Sequence, residues 1–463
     1  MSEASRADGL TRREFLAAGA AAAAGAGVWT PLPAVAAKAG DRPNIVLAMT
    51  DDQGWGDTGY NGHPVLKTPA LDAMAAAGIR FDRFYAAAPV CSPTRGSVLT
   101  GRHPNRFGCF RWGMPIRPQE LTVAQVLKAA GYVTGHFGKW HLNGKSGPGR
   151  PIPATDPLNP GRCGFDQWCS VTNYFELDPT LGRNGKPVKF TGDGSDVIVD
   201  EALTFIARAT EAKTPFLAVV WYGSPHVPHR ALAKDKAPYA DRSKREQNYY
   251  GELTAVDRSV GRLRSELRRL GVADNTLLWF CSDNGGAFGK HSTGGLRGRK
   301  GSLWEGGVRV PGILEWPARV AKGFRTDVPC NTCDIYPTIL DLLGLDPARP
   351  VEPIDGVPLT ALIGGKMTER PRPMPFEVRR SDRQVTWASL IDGRYKLHKH
   401  KPRKSKEFQW RLYDLLADRT ESEDLAADKS KIVDAMKERL ETWQASVARS
   451  LAGKDYPTTR PAT

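Results

Sequence analysis

The 463-residue sequence lacks the signatures of several large protein classes. After residue 37 it has no apolar run long enough to span a bilayer, which excludes a mature chain that crosses a membrane. It has no nucleic-acid-binding motif, so we expect no nucleic-acid partner despite a formal net charge of +15. No internal repeat is apparent, which excludes a repeat architecture. Cys330 and Cys333 are spaced as a redox pair or as half a zinc site, but no second Cys/His pair completes a zinc set. Cys163 and Cys169 are close enough in sequence to pair with each other.

The N-terminus has the pattern of an export signal. The adjacent Arg12 and Arg13 precede an Ala/Gly-rich run over residues 17–28 and small residues suited to signal peptidase at 34–37. This order predicts a twin-arginine signal peptide over residues 1–37, because the apolar run is too short and too weakly hydrophobic for an anchor. We therefore expect the Tat export machinery as a partner, a periplasmic or secreted mature chain, and no membrane association after cleavage.

Four apolar runs predict strands that are buried on both faces of a sheet. They cover residues 44–49, 132–137, 216–221 and 276–281. Helical patterns lie among them, over residues 70–77, 123–130, 197–209 and 249–270. Alternating strands and helices predict an α/β fold in which a large, mostly parallel mixed sheet is sandwiched by helices.

The pattern changes after a proline-rich stretch over residues 346–375. Three short strands and an amphipathic helix are predicted beyond it, over residues 384–391, 395–398, 412–415 and 431–451. We interpret them as a small C-terminal subdomain, an antiparallel sheet packed with one helix. The predicted domains are therefore an N-terminal catalytic domain over residues 38–365 and a C-terminal α+β subdomain over residues 366–463.

Polar residues follow all four predicted strands near the point where each strand ends: Asp51 and Asp52, Lys139 and His141, His226, and Asp283 with Asn284. Because ligands of α/β sheets bind at the carboxyl ends of the strands, we expect these side chains to lie close together. Three aspartates and one asparagine supply only oxygen ligands, which suit Ca²⁺ or Mg²⁺ and not zinc. An ordinary turn is the alternative for Asp51 and Asp52, since Asp is common in turns.

The segment Cys91-Ser92-Pro93-Thr94-Arg95 places a cysteine before a proline and an arginine at fixed spacing. Pro93 suits the first turn of a helix that runs toward Gly101. Cys91 would then lie at the N-terminus of that helix, where oxyanions are favoured. A buried structural cysteine is the alternative, since free cysteines are often small core residues.

These motifs together resemble the formylglycine-dependent (type I) sulfatase family, arylsulfatase A-like, of the alkaline phosphatase superfamily. The resemblance extends from about residue 43 to about residue 426 and rests on five segments: Asp51-Asp52, Cys91-Ser92-Pro93-Thr94-Arg95, Gly138-Lys139-Trp140-His141, Asp283-Asn284 and the Gly-rich stretch over 298–307. It implies that a formylglycine-generating enzyme oxidises Cys91 to formylglycine (3-oxoalanine). One hydroxyl of the hydrated aldehyde would attack sulfur, and the other would later expel sulfate, a step that a thiol or a serine cannot perform.

The resemblance also implies a metal ion, usually Ca²⁺ and less often Mg²⁺. Its ligands would be an oxygen of the residue derived from Cys91 and four side chains: Asp51, Asp52, Asp283 and Asn284.

Five further residues receive roles by the same resemblance. Arg95 would stabilise the nucleophile, and Lys139 and Lys300 would contact the sulfate oxygens. His141 would take a proton as sulfate is eliminated, and His226 would protonate the leaving alcohol. Lys139 and His141 are spaced i, i+2, so in extended chain both would point the same way.

The implied function is hydrolysis of a sulfate ester, of a sulfated carbohydrate or less often of an aryl sulfate. A basic exported chain suits an acidic polysaccharide, and equally suits a basic surface without any partner. One alternative is a phosphonate monoester or phosphodiester hydrolase of the same superfamily, because few contacts separate such substrates. The other is a non-catalytic carbohydrate-binding relative that uses a basic cluster: Lys399, Lys401, Arg403, Lys404 and Lys406.

Substrate choice is expected to depend on variable loops, for which residues 145–162 and 230–247 are candidates. Asn143 and Arg299 stand where glycines are more usual in the family, and both would reshape the rim of the pocket. His229 has no family match, and it either lines the cleft or lies at the surface.

Overall fold

The computed structural model describes residues 42–347, 350–382, 384–401 and 407–456 of the chain. The predicted signal peptide over residues 1–37 lies outside this part, as do Arg403, Lys404 and Lys406 of the basic cluster. None of the helices in the described ranges is both long and apolar enough to cross a membrane.

Strands and α-helices alternate along most of the chain. The strands within the described residues are β1 (Asn44–Thr50), β2 (Ile79–Phe81), β3 (Phe84–Tyr85), β4 (Val133–Lys139), β5 (Gln167–Val171), β6 (Thr180–Arg183), β7 (Lys186–Lys189), β8 (Phe216–Trp221), β9 (Thr276–Ser282), β10 (Arg309–Val310), β11 (Gly312–Glu315), β12 (Phe324–Thr326), β13 (Cys330–Asn331), β14 (Met374–Ser381), β15 (Gln384–Asp392), β16 (Tyr395–His400) and β17 (Gln409–Asp414). The α-helices there are α1 (Pro69–Ala77), α2 (Cys91–Thr100), α3 (Val123–Ala129), α4 (Gly194–Glu211), α5 (Ala233–Lys236), α6 (Lys244–Arg269), α7 (Gly289–Ser292), α8 (Glu305–Val308), α9 (Ile335–Leu343), α10 (Thr360–Ile363) and α11 (Ser430–Leu451).

The main sheet has ten strands in the order β12-β2-β11-β9-β1-β8-β4-β5-β6-β7. Its five central strands, β9, β1, β8, β4 and β5, are parallel to one another, and they are flanked by antiparallel pairings, β9 with β11 on one side and β5 with β6 on the other. The predicted large mixed sheet is therefore confirmed. Because the central strands are parallel, their carboxyl ends meet along one edge.

Helices cover both faces of this sheet. Along β1, Ile45 and Leu47 face a core shared with α2, α3 and α9, whereas Val46 and Ala48 face a core shared with α1, α4 and α6. Burial on both faces explains why the central strands are continuous apolar runs instead of alternating ones.

Helix α2 begins at the predicted place. Val90 is its extended N-cap, Pro93 stands in its first turn, and it ends at Gly101, whose φ of 69° is the left-handed conformation of a C-cap. Cys91 is the first residue of the helix and is buried.

The C-terminal part forms a four-stranded antiparallel sheet in the order β14-β15-β16-β17. Helix α11 packs Met436 and Leu440 against Leu390, Leu397 and Leu412 of that sheet. The predicted antiparallel sheet and closing helix are therefore present, with β14 as a strand that the proline-rich pattern concealed. The described residues belong to one compact unit, so the domain boundary at residue 365 stays a prediction.

All four predicted central strands are present, and β4 extends past its predicted end to Lys139. The four predicted helices correspond to α1, α3, α4 and α6. Besides β14, the strands β2, β3, β5, β6, β7, β10, β11, β12 and β13 were not predicted. They are short, and the edge strand β7 has the sequence Lys-Pro-Val-Lys with a mostly exposed pattern, so hydrophobic periodicity does not mark it.

Candidate active site

Four parallel strands deliver polar side chains to the same edge of the sheet. Asp51 follows β1, Lys139 ends β4, His226 follows β8 and Asp283 follows β9. The chain segments beyond the strands are joined by backbone hydrogen bonds, from Asp51 N–H to Ser224 O at 3.1 Å and from Asp283 N–H to Thr50 O at 3.1 Å. The structure thus brings together the residues that follow separate strands.

A cluster of acidic groups surrounds the cysteine at the start of α2. One ligand atom from each of Asp51, Asp52, Cys91 and Asp283 lies within 4.8 Å of the others, and all four residues are buried. The Cys91 thiol donates to Asp51 Oδ1 at 3.4 Å. Asp52 has a left-handed backbone with φ of 69°, and its N–H donates to Asp283 Oδ1 at 3.2 Å. Three buried carboxylates in so small a volume require positive charge beside them.

Each carboxylate has its own cation. Lys139 Nζ donates to Asp51 Oδ2 at 2.5 Å, and Lys300 Nζ donates to Asp52 Oδ1 at 2.5 Å.

Arg95, one helical turn after Cys91 in α2, pairs with the third carboxylate, that of Asp283. Its guanidinium donates twice to Asp283 Oδ2, at 3.1 and 2.7 Å, and lies over the Trp221 ring at 5.2 Å. Lys300 Nζ is also 3.7 Å from Cys91 Sγ, which places a second ammonium group beside the cysteine.

These charges shift the pKa values of the buried acids in opposite directions. Burial raises the pKa of Asp51, but Lys139 and other nearby cations more than offset it, so the pKa lies below its ordinary value. Burial and the Asp51 carboxylate raise the pKa of Asp283 despite Arg95. Burial, together with Asp283, raises the pKa of the Cys91 thiol well above its ordinary value. An unmodified Cys91 is therefore a protonated thiol, which is a poor nucleophile.

Asn284 completes an oxygen-donor set. Its Nδ2 donates to Asp52 Oδ1 at 2.9 Å and to Gly285 O at 3.1 Å. Its Oδ1 is buried and has no hydrogen-bond partner in the described part of the chain. A buried amide oxygen without a partner is costly, and three carboxylates with one such oxygen fit a hard divalent cation.

His141 lies just beyond the end of β4, in a left-handed backbone conformation with φ of 54°. The extended chain assumed for Lys139 and His141 therefore does not continue past Lys139, where the strand ends. Burial, followed by Lys139 and Arg95, lowers the pKa of His141 well below its ordinary value. Both ring nitrogens are buried without a hydrogen-bond partner among the described residues, so His141 is a neutral imidazole able to accept a proton.

His226 lies on the open side of the cluster. Its Nδ1 donates to Val227 O at 2.5 Å, and its Nε2 is 3.9 Å from Asp52 Oδ2. Its ring stacks on Tyr174 at 4.6 Å with an interplanar angle of 12°. The side chains of His226 and Lys300 are 15% and 21% exposed, whereas those of Arg95 and Lys139 are fully buried. A ligand therefore reaches the cluster past His226 and Lys300.

The loop that carries Lys300, residues 296–307, is held between the other site segments; we call it the Lys300 loop. Lys300 N–H donates to Gly286 O at 3.1 Å, and Gly301 N–H donates to Pro89 O at 2.9 Å. These bonds fix the loop between the segment after β9 and the segment before α2.

A buried ion cluster fastens the far end of the Lys300 loop to the C-terminal sheet. Lys396 Nζ donates to Glu305 Oε1 at 2.8 Å and lies 3.2 Å from Glu421 Oε1. Glu421 also accepts from Glu305 N–H at 2.6 Å and from His398 Nε2 at 2.8 Å. These four residues, Glu305, Lys396, His398 and Glu421, form the buried ion cluster. Sequence patterns did not predict it, because its Lys396–Glu305 pair joins positions 91 residues apart.

The candidate substrate loops differ in structure. Residues 145–162 form a mostly exposed loop, and Asn143 Nδ2 donates to Asp156 Oδ2 within it at 2.8 Å. Residues 230–247 contain α5 and the start of α6, so this segment is largely helical. His229 packs against Tyr249 and Phe288, and its Nδ1 lies 3.6 Å from Glu252 Oε2.

All seven cysteines lie in the described part of the chain, and all are buried and free. The pairs Cys163–Cys169 and Cys330–Cys333 are therefore not disulfides here. The cluster of Asp51, Asp52, Cys91 and Asp283 is the one metal-competent group of His, Cys, Asp and Glu side chains in the described ranges.

Known proteins resemble both the sequence and the fold. The sequence profile of the Sulfatase family matches residues 43–345, and that of the N-sulphoglucosamine sulphohydrolase C-terminal region matches residues 299–446. An N-acetylgalactosamine-6-sulfatase of Canis lupus familiaris is 35% identical over 404 residues, which cover 78% of this chain and 73% of the relative. An ulvan-active sulfatase of Formosa agariphila is 34% identical over 343 residues, which cover 70% of this chain and 65% of the relative.

A solved structure of Ps i-CgsB in complex with k-i-k-neocarrahexaose aligns with a TM-score of 0.77 at 28% identity, covering 87% of this chain and 92% of that one. The matched profile spans every residue of the strand-end cluster, from Asp51 to Lys300. This chain is a member of the sulfatase family, a sulfuric ester hydrolase with the alkaline-phosphatase-like fold.

Proposed function

We propose that this chain is an exported sulfatase, dependent on formylglycine and calcium, that removes sulfate from a sulfated carbohydrate. The observation that carries the proposal is the position of Cys91. It is the first residue of a buried helix, within hydrogen-bond distance of Asp51 and close to Lys300. A residue placed among carboxylates and cations in this way is suited to attack a tetrahedral anion.

Burial and Asp283 raise the pKa of the Cys91 thiol, which argues against the unmodified cysteine as the nucleophile and is consistent with its conversion to formylglycine. When formed, the hydrated aldehyde supplies one hydroxyl for attack on sulfur and a second for the later release of sulfate. Arg95 supports the same position through Asp283, which it holds with two hydrogen bonds.

The residues proposed to hold calcium are Asp51, Asp52, Asp283 and Asn284, with an oxygen of residue 91. Calcium, when bound, supplies positive charge to a sulfate oxygen and to the nucleophile. The unpartnered Asn284 Oδ1 supports this assignment, because it is an oxygen ligand that no protein group satisfies.

The lysines and histidines have separate roles in binding sulfate and in proton transfer. Lys139 and Lys300 orient the sulfate group and stabilise its charge. His226 lies on the open side, where the sugar would leave, and donates a proton to the leaving oxygen. His141, neutral at physiological pH, accepts a proton as sulfate is released.

The names of similar proteins support a carbohydrate substrate, and the N-terminal sequence supports export. The relatives described above are named for N-acetylgalactosamine 6-sulfate and ulvan, and Ps i-CgsB is bound to a carrageenan hexasaccharide. The twin-arginine pattern over residues 1–37 supports a periplasmic or secreted enzyme.

The test is release of inorganic sulfate, measured by ion chromatography. The full chain is co-expressed with a formylglycine-generating enzyme, and Cys91→Ala is the matched control. The panel contains 4-nitrophenyl sulfate, N-acetylgalactosamine 6-sulfate, fragments of ulvan and carrageenan, and a 4-nitrophenyl phosphonate monoester, whose hydrolysis is followed by release of nitrophenolate. We expect sulfate from at least one sulfated saccharide with the wild-type chain and none with Cys91→Ala.

Hydrolysis of the phosphonate alone, with the aldehyde present at position 91, would replace the proposal by the phosphonate hydrolase alternative. Tight binding of a saccharide without release of any product would favour the non-catalytic alternative.

A further inference from the structure

Trp112 is the most exposed of the large apolar side chains that the structure describes as exposed, at 59%. A single exposed apolar residue carries no argument by itself, because such residues are normal on protein surfaces. The position of Trp112 in the fold is what distinguishes it.

Trp112 occupies the tip of a tight turn. Met114 N–H donates to Arg111 O at 3.3 Å, and Gly113 has φ of 73°, so Trp112 and Gly113 are the central residues of a type II turn. A Cβ at Gly113 would lie 3.1 Å from Ser146 and 3.2 Å from the carbonyl oxygen of Lys145, so the turn packs closely on the start of the loop over residues 145–162.

Two hydrogen bonds join this turn to the segments that carry Cys91 and His141. Gly113 N–H donates to the hydroxyl of Ser92, the neighbour of Cys91, at 2.8 Å. Ile116 N–H donates to the carbonyl oxygen of Leu142, the neighbour of His141, at 3.0 Å. Since consecutive Cα atoms are 3.8 Å apart, the Trp112 backbone lies within roughly 10 Å of residue 91.

Three exposed basic residues belong to this turn or to segments near the site. Arg111 is part of the turn itself, the backbone carbonyl of Lys145 lies against Gly113, and Arg299 precedes Lys300 in the Lys300 loop. The carboxylates of Asp51 and Asp52 are buried deeper and are occupied by lysines.

We propose that Trp112, Arg111 and Lys145 form a saccharide subsite for the sugar residue next to the one that loses sulfate. The neighbouring sugar places an apolar C–H face on the indole ring, which is a rigid amphipathic platform. Its anionic substituent, a sulfate or a carboxylate, is bound by the guanidinium and ammonium groups. This subsite rests on the proposed sulfatase function and defines its substrate as a chain of anionic sugars instead of an isolated sulfate ester.

The test compares a substrate without a sugar with one that fills the subsite. The variants are Trp112→Ala, the conservative Trp112→Phe and the control Leu416→Ala, which removes another exposed apolar side chain, 53% exposed, on the segment after β17. The substrates are 4-nitrophenyl sulfate and the ulvan or carrageenan oligosaccharide that the wild-type chain hydrolyses best.

We expect Trp112→Ala to raise KM for the oligosaccharide about tenfold, which corresponds to about 1.4 kcal/mol. Its kcat/KM for 4-nitrophenyl sulfate should stay at the wild-type value, Trp112→Phe should recover most of the loss, and Leu416→Ala should change neither substrate. An equal loss on both substrates, or no loss on the oligosaccharide, would overturn the subsite.

The double variant Arg111→Gln, Lys145→Gln identifies the anion. We expect its KM to rise for oligosaccharides whose neighbouring sugar carries sulfate or carboxylate, and to stay unchanged when that sugar is neutral. If the rise in KM is larger for sulfated neighbours, the subsite binds sulfate, and if it is larger for carboxylated neighbours, it binds a carboxylate. A rise in KM that is equal for charged and neutral neighbours would refute the anionic part of the proposal. No sulfate release by the wild-type chain from either substrate would instead contradict the sulfatase function and the subsite with it.

Discussion

Substitution of Lys396 tests whether the C-terminal sheet holds the Lys300 loop in place. Lys396 is the cation of the buried ion cluster, 2.8 Å from Glu305 and 3.2 Å from Glu421, and none of these three side chains is exposed. Lys396→Met keeps the volume but leaves two buried carboxylates without their ammonium group. Removal of one partner of a buried pair destabilises a protein by about 3–5 kcal/mol, so we expect a loss of that size in the free energy of unfolding.

The assay is urea unfolding at neutral pH with a matched surface control. Lys128→Met removes an ion pair to Asp166 whose side chains are 53% and 32% exposed, and we expect it to cost less than about 1 kcal/mol. Glu305 also pairs with Arg309 at 3.4 Å, so Glu421 loses more of its positive surroundings than Glu305 does. Adding Glu305→Gln to Lys396→Met should still restore part of the stability, because it removes one of the two buried carboxylates that have lost the ammonium group.

The same variant has a kinetic consequence. Glu305 belongs to the Lys300 loop, which places Lys300 Nζ against Asp52, and small misplacements of catalytic groups cost up to about 100-fold in rate. We therefore expect kcat for 4-nitrophenyl sulfate to fall in Lys396→Met under conditions where the variant is folded, with wild-type kcat in Lys128→Met. Unfolding free energies that are equal in Lys396→Met and Lys128→Met would refute the reasoning.

Three further predictions follow from the site and from the buried ion cluster. His226→Ala should lower kcat by about 10²–10⁴-fold for a sugar sulfate and far less for 4-nitrophenyl sulfate, because nitrophenolate leaves without a proton; equal losses in the two assays would contradict its role as the acid. Calcium should raise the melting temperature of the wild-type chain and a chelator should lower it, and the calcium shift should shrink in Asn284→Ala; a shift of the same size in that variant would argue against Asn284 as a ligand. Burial lowers the pKa of His398 to about 4, so between pH 6.5 and 4 the unfolded chain binds a proton that the folded chain does not. Stability should therefore fall with falling pH in that window, by up to about 1.4 kcal/mol per pH unit, and His398→Gln should show a shallower fall in urea titrations; an identical pH profile would exclude His398 as a contributor.

The site could be predicted from the sequence because its polar residues follow strands whose carboxyl ends meet at one edge of the sheet. Continuous apolar runs mark strands buried on both faces, and parallel strands share one carboxyl edge, so Asp51, Lys139, His226 and Asp283 could be placed together before their distances were known. Pro93 and Gly101 mark the limits of α2 by local backbone rules.

Other features depend on contacts that no local pattern carries. His141 is positioned by a left-handed backbone after the end of β4, which an alternation argument cannot foresee. Glu305 and Lys396 form an ion pair although they are 91 residues apart in sequence, and no local pattern around either residue indicates a partner. Trp112 is notable because its turn bonds to Ser92 and Leu142, and that relation exists only in the folded chain.

The central claim is that residue 91 attacks sulfur and then releases sulfate through a second hydroxyl. Cys91→Ser tests it directly, because a serine can attack once but has no second geminal hydroxyl with which to expel sulfate. The measurement is the intact mass of Cys91→Ser after incubation with 4-nitrophenyl sulfate. The account predicts that the serine oxygen displaces nitrophenolate from sulfur, so that each chain gains the mass of one SO₃ group at residue 91, with no continuing release of sulfate. Catalytic sulfate release by Cys91→Ser at the wild-type rate would contradict it.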